Sequence, residues 1–208
     1  MNDLYKRINL DDVAVLLVDH QTGLISGFVR DWDVDVFEQN VEALVDIAKF
    51  FDLPTILTTS FDDGPNGPLM PYITETLPKA KIIRRPGQIN AWDNEEFVKA
   101  VKATGKKQLI IAGVVTEVCV TFPALSAINE GFEVFAVTDA SGTTNNRVAE
   151  ASLMRMANAG VELTSWFSVA SELQRDWRND SEGFGNLLMK HSPAYKNVAA
   201  SYTGAKNS

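Results

Sequence analysis

The string GVVTEVCV, Gly113 to Val120, holds the only cysteine of the chain, Cys119. A thiol is a nucleophile once deprotonated, and it needs a partner to take the proton. The sequence offers a carboxylate at Asp19, which closes the apolar run VAVLLVD. Thr116 is a candidate N-cap, which would put Cys119 in the first turn of a helix. There the dipole and unpaired amides favour an anion, so a lowered thiol pKa is expected, and the same amides could hold an oxyanion. A Thr116 cap would compete for the Cys119 N–H that such a hole needs. The alternative is that Cys119 is a small apolar residue facing a sheet, a frequent fate of free cysteine.

Whether Asp19 and Cys119 meet depends on the elements that carry them. Short β-rich apolar runs at 13–19, 54–60, 81–85, 107–113, 132–139 and 161–166 read as strands. Between them, stretches at 36–51, 95–104, 118–130 and 148–160 carry apolar residues at helical spacing. The alternation predicts an α/β fold: a Rossmann-like, doubly wound, mostly parallel six-stranded sheet with helices on both faces. Right-handed crossovers favour a strand order near 3-2-1-4-5-6. Ligands bind such sheets beyond the carboxyl ends of the strands, where the order reverses, here between strands 1 and 4. Asp19 ends the first and Cys119 follows the fourth, so the topology brings them together.

Neighbouring residues carry weaker signals. Gln21 could orient Asp19 or a substrate, or bond a nearby loop. His20 points away from Asp19 in an alternating backbone and reads as structural. Phe28, Trp32 and Trp92 are expected in loops near the strand ends, as pocket walls, packing or subunit contacts. Asp62 and Asp63, in DDGPNGP, read as turn chemistry, and Asp139 as a cap or turn. There is no GxGxxG fingerprint, so the fold class brings no expectation of NAD.

The chain has 208 residues, enough for one substantial core, and a net charge of −8. That balance argues against nucleic acid or an anionic membrane as partner. The polar N-terminus, MNDLYKRINLDD, reads as no signal peptide, and the apolar runs are too short to span a bilayer. One cysteine allows no intrachain disulfide, which fits a reducing compartment, and a cytoplasmic protein is expected. The whole chain, 1–208, reads as a single domain. Its less regular segment 174–208, with RDWRND and FGNLLM, suits docking on a neighbouring subunit.

LLVDHQ, TTSFDDGPNGP, RRPGQINAWDN and AGVVTEVCV occur in that order, and with RDWRND they cover nearly the whole length. Together they resemble the isochorismatase-like cysteine hydrolases, most closely the YcaC-like branch. The resemblance implies a catalytic triad of Asp19, Cys119 and a basic residue in RRPG, with Arg85 favoured over Arg84. It also implies a non-proline cis peptide at Val114–Val115 and an oxyanion hole made by the Val115 and Cys119 amides. The basic residue is usually lysine; arginine stays protonated, so proton transfer would fall to Asp19 alone. Nicotinamidases of the family hold a metal with an Asp-x-His pair and a further His. This chain reads TTSFDD at the matching place, and its only histidines are His20 and His191, so no metal or other cofactor is expected. The implied activity is hydrolysis of a small molecule, at an amide C–N bond, through a thioester. A non-catalytic ligand-binding or thiol-sensing relative is the first alternative, and isochorismate-type vinyl-ether hydrolysis the second. The branch forms rings, which implies a homo-oligomer, an octamer.

Overall fold

A computed structural model describes residues 5–206; the first four residues of the polar N-terminal stretch and the last two of the C-terminal segment lie outside the described residues. The apolar runs form strands β1 (Val13–Val18), β2 (Thr55–Ser60), β3 (Lys81–Arg85), β4 (Gln108–Gly113), β5 (Glu133–Val137) and β6 (Glu162–Thr164). They build one six-stranded sheet in the order β3-β2-β1-β4-β5-β6. Every pairing is parallel, so the sheet is wholly rather than mostly parallel. β1 and β4 lie at its centre and every residue of each is buried, which is why both read as unbroken apolar runs.

Side chains alternate across the sheet. Ala14, Leu16 and Val18 of β1 pack with Leu109 and Ile111 of β4. The same cluster takes Phe97 and Val101 of α4 (Glu95–Ala103), Ala124 and Ala127 of α5 (Thr121–Asn129), and Met156 of α6 (Asn146–Asn158). The intervening Val13, Val15 and Leu17 are just as buried. The buried stripe of α2 (Val34–Phe50), which includes Phe37, Val41, Leu44 and Ile47, is left for that opposite face. Asp33 caps α2, its side chain accepting from the Asp35 and Val36 amides.

Two short helices lie outside the stretches read as helical, one of them ending at Phe28, which was expected in a loop. These are α1 (Thr22–Phe28) and α3 (Pro71–Thr76). In α1, Gly23 is required by packing: a Cβ there would come within 2.1 Å of the Pro65 carbonyl oxygen. Helix α7 (Trp166–Gln174) follows β6; Asp139 accepts the Trp166 N–H at 3.0 Å, the capping role expected of it.

The chain forms two compact units, one up to Leu173 and one from Gln174. The second, read as less regular, is mostly helical: α8 (Ser181–His191) and α9 (Pro193–Lys206). Within it Trp177 meets Phe184 edge-on and stacks on Tyr195. No helix among the described residues is long and apolar enough to cross a membrane.

Candidate active site

β1 ends at Val18, whose register partners are Thr58 on β2 and Gly113 on β4. Gly113 has no room for a side chain, since a Cβ would lie 2.3 Å from the Val18 carbonyl oxygen. Asp19 therefore leaves the sheet between two tightly held neighbours. Its φ is +58°, in the left-handed region that most L-residues avoid and that aspartate enters more readily. The Asp19 N–H donates to Thr58 O at 3.2 Å, and the Gln21 N–H to Asp19 O at 2.7 Å.

The Asp19 carboxylate is buried and satisfied on both oxygens. The Thr58 hydroxyl donates to Oδ1, and Arg85 Nη2 donates to Oδ2. Arg85 Nη1 is fixed by the carbonyls of Gln88 and Ile89. Both charged side chains are 0% exposed. A buried ion pair of this kind is weak as a source of stability, because desolvation consumes most of the attraction. The adjacent Arg84 points the other way along β3 and pairs with Asp62 at the surface. Strand alternation thus places Arg85, and not Arg84, against Asp19.

The Val114–Val115 peptide is cis, as the resemblance implied. After it the chain makes a π-type turn, Thr116–Val120, before α5 begins at Thr121. The sequence reads as one helix from 118 to 130. Pro123 explains the break, since it has no N–H to offer the carbonyl of Cys119 four residues back. The Thr121 hydroxyl donates instead to Thr116 O at 2.7 Å. Thr116 is not the N-cap: the cap position is Val115, and the Thr116 hydroxyl is buried without a partner.

Cys119 is 9% exposed and belongs to the core cluster, with its thiol close to the charges of Asp19 and Arg85. The expectation of a lowered thiol pKa is overturned. Burial first, then the Asp19 charge, push the thiol well above its ordinary value; a backbone hydrogen bond from Val115 and the Arg85 charge oppose this and lose. The resting group is a neutral thiol facing a carboxylate. The expected pair of oxyanion amides is also altered. The Cys119 N–H donates to Val115 O at 2.8 Å, so it is already engaged, while the Val115 amide lies against the sulfur.

The remaining candidates separate. Gln21 is spent on structure, its Oε1 accepting the Ser60 N–H at 2.7 Å and its Nε2 donating to Gly67 O at 2.6 Å. That clamp holds the 60–67 loop beside Asp19 and leaves the carboxamide little for a substrate. Trp92 sits in a short turn at 91–93, not an open loop; its indole donates to Glu130 Oε1 at 2.8 Å and its ring packs edge-on to Phe97 and Phe132. Phe28 closes α1 with its ring exposed, and Trp32 lines a different cavity. His20 is fully buried; its Nε2 bonds Ala140 O at 2.9 Å, and burial lowers its pKa to about 4. Among the described residues no three His, Cys, Asp or Glu side chains form a group that could hold a metal.

Thr58 is the participant that sequence reasoning missed. Its signal is a polar residue at a fully buried position of β2, in register with the residue before Asp19. Buried hydroxyls need partners, and the nearest unsatisfied acceptor of that register is the Asp19 carboxylate.

The profile of the isochorismatase domain matches residues 13–168. The sequence is 62% identical to the probable hydrolase YcaC of Escherichia coli strain K12 over 202 residues, 97% of each chain. The crystal structure of the YcaC gene product from E. coli, described as an octameric hydrolase of unknown specificity, superposes with a TM-score of 0.95 at 61% identity, covering 98% of this chain and 100% of that one. YcaC from Pseudomonas aeruginosa, solved with hexane-2,5-diol and covalent acrylamide, gives 0.94 at 65% identity, covering 96% and 98%.

Proposed function

The chain belongs to the isochorismatase family, and from that premise we propose that it is a cysteine-dependent hydrolase of a small molecule, cleaving an amide C–N bond through a thioester. The single observation that carries this reading is the Cys119 thiol held beside a buried carboxylate that is itself ion-paired to a buried guanidinium.

Because the resting thiol is neutral, activation coincides with attack. Asp19 takes the thiol proton as sulfur bonds to the carbonyl carbon, and the carbonyl π electrons move to oxygen. The Val115 amide, beside the sulfur, donates to the oxyanion. The Cys119 amide joins only if it lengthens its bond to Val115 O. As the intermediate collapses, Asp19 returns its proton to the leaving nitrogen and an amine departs. Water then gives Asp19 a proton, attacks the thioester and releases the acid, and the sulfur recovers the proton. Arg85 stays protonated throughout. It keeps Asp19 ionised at rest and faces the sulfur as negative charge develops there.

Two properties of the relatives support the reading. A covalent adduct of acrylamide requires a nucleophile, and the P. aeruginosa protein carries one. The E. coli protein is octameric, and we extend that assembly to this chain, with 174–208 as the docking segment. In support, α9 buries none of its residues and leaves Val198 and Tyr202 exposed. The lone cysteine favours a reducing compartment, the cytoplasm, as its location.

The raised thiol pKa favours one rival, a non-catalytic relative that binds or senses a ligand. Turnover decides between them. A panel of small primary and secondary amides is offered to the wild type and to Cys119→Ala, with hydroxylamine to trap an acyl-enzyme. Amine release that vanishes in the variant, with hydroxamate formed by the wild type, is the expected result. Equal release by both proteins would sink the thioester mechanism.

A further inference from the structure

Ser141, Gly142 and Thr143 follow β5 and run beside the turn that carries Cys119; each of them is buried. Ser141 Oγ accepts the Gly113 N–H at 3.3 Å, and the Gly142 N–H donates to Gly113 O at 3.3 Å. Beyond Val115, the Thr116 N–H donates to Gly142 O at 3.0 Å. The backbone is therefore held on both sides of the Val115 amide, the donor assigned above to the oxyanion.

Thr143 carries this brace into the turn itself. Its hydroxyl donates to Glu117 Oε2 at 2.6 Å, and Glu117 lies within Thr116–Val120. Thr143 is a fixed anchor. It is 0% exposed, its N–H donates to Asp31 Oδ1 at 2.8 Å, and its carbonyl accepts the Arg30 and Asp31 amides at 2.8 and 3.2 Å. Glu117 is only half-buried, so water can solvate its carboxylate and burial does not force the bond. The effect of the bond is positional. The turn has no side-chain cap of its own. Its Val118, Cys119 and Val120 amides all converge on Val115 O, at 3.2, 2.8 and 3.4 Å. One carbonyl shared among three donors cannot align well with each of them, so a tether from outside the turn matters more here than in a regular helix.

We propose that Thr143 is a positioning residue: through Glu117, its hydroxyl holds the Thr116–Val120 turn so that the Val115 amide and the Cys119 sulfur keep the spacing that a tetrahedral oxyanion requires. Thr143 acts through Glu117 and not on the reacting atoms. This role presupposes the thioester mechanism proposed above.

Two reactions of the sole cysteine separate positioning from stability. In acylation by p-nitrophenyl acetate the sulfur bonds to the acetyl carbon, the thiol proton passes to Asp19 and the carbonyl π electrons move to oxygen. Collapse of that oxyanion expels p-nitrophenolate and leaves the acetyl thioester. Alkylation by iodoacetamide displaces iodide at a saturated carbon and forms no oxyanion. Both reactions use the same sulfur, so at one pH the ratio of their rates cancels a change in thiol protonation. Each is followed by intact mass on the full-length protein, with Cys119→Ala as blank. Thr143→Val keeps the side-chain shape and should slow acylation about tenfold, with alkylation within about twofold of the wild type. Thr143→Ser keeps the hydroxyl and should restore acylation to within about twofold of the wild type. Glu117→Ala, at a half-buried position, should match Thr143→Val and keeps the test open if that variant folds poorly. A wild type that is not acylated at Cys119 would remove the thioester mechanism and this role together. A wild type that is acylated, with unchanged acylation or equal slowing of both reactions in the folded variants, would overturn the positioning role alone.

Discussion

Arg84 and Arg85 are the same residue at successive positions of one strand, each paired with an aspartate, yet the two pairs are different physical objects. Arg85 and Asp19 are 0% exposed; Arg84 is 68% exposed against Asp62. In the outer pair Asp62 is 13% exposed, but water reaches and screens the Arg84 guanidinium, so the pair contributes little. In the interior, each charge is tolerable only because the other is present, and the geometry is locked by Thr58, Gln88 and Ile89. Locking of that kind is what an acid–base group needs, and mobility at the surface is what it must avoid.

The contrast is sharpest in turnover. Asp19→Asn should lower amide hydrolysis by about 10²–10⁴-fold, whereas Asp62→Asn should leave the rate within about twofold, both measured as kcat/KM on the best substrate of the panel. Asp19→Asn should also speed alkylation of Cys119 at alkaline pH. It removes a charge that pushes the thiol pKa up and leaves the opposing Arg85 charge in place. Slower alkylation together with lost turnover would mean that Asp19 does not face the sulfur as described.

Stability gives the next contrast. Arg85→Ala strands a buried carboxylate and should cost about 3–5 kcal/mol in denaturant unfolding. Arg84→Ala should cost about 1 kcal/mol or less, and that small loss should disappear at high salt. Equal losses would erase the distinction between the two pairs.

His20 extends the comparison to pH. Its folded pKa, about 4, lies below the unfolded value of 6.5, so between these values the unfolded chain binds more protons. The neutral imidazole therefore contributes stability that is complete above about pH 6.5 and is lost as pH falls towards 4, on the order of 3 kcal/mol. His20→Gln should flatten the stability profile across that window. A smaller effect than that of Arg85 is expected at Thr58: Thr58→Val keeps the shape of the side chain, removes one donor to Asp19, and should cost about 2 kcal/mol in denaturant unfolding, with a modest fall in turnover.

Much of the fold was legible because its causes are local. The central strands announce themselves by unbroken burial, and the handedness of crossovers then orders them. The meeting of Asp19 with Cys119 followed from strand order alone. Arg85 entered from a family resemblance, and the alternation of β3 separates it from its neighbour. What escaped was set by partners distant in the chain. The carboxamide of Gln21 answers to Ser60 and Gly67, and the indole of Trp92 to Glu130, so both serve structure where a pocket role was conceivable.

The Cys119 turn shows the division most clearly. Sequence by itself singled out Asp19 and Cys119, set them beyond the ends of the first and fourth strands, and holds Pro123 four residues after the cysteine. Tertiary structure alone decided that the thiol rests neutral, that its own N–H is spent on Val115, and that Thr116 faces inward without a partner. The reason is physical: backbone propensity and hydrophobic periodicity are written along the chain, but the protonation of a group depends on the depth of its burial and the charges brought to it from elsewhere.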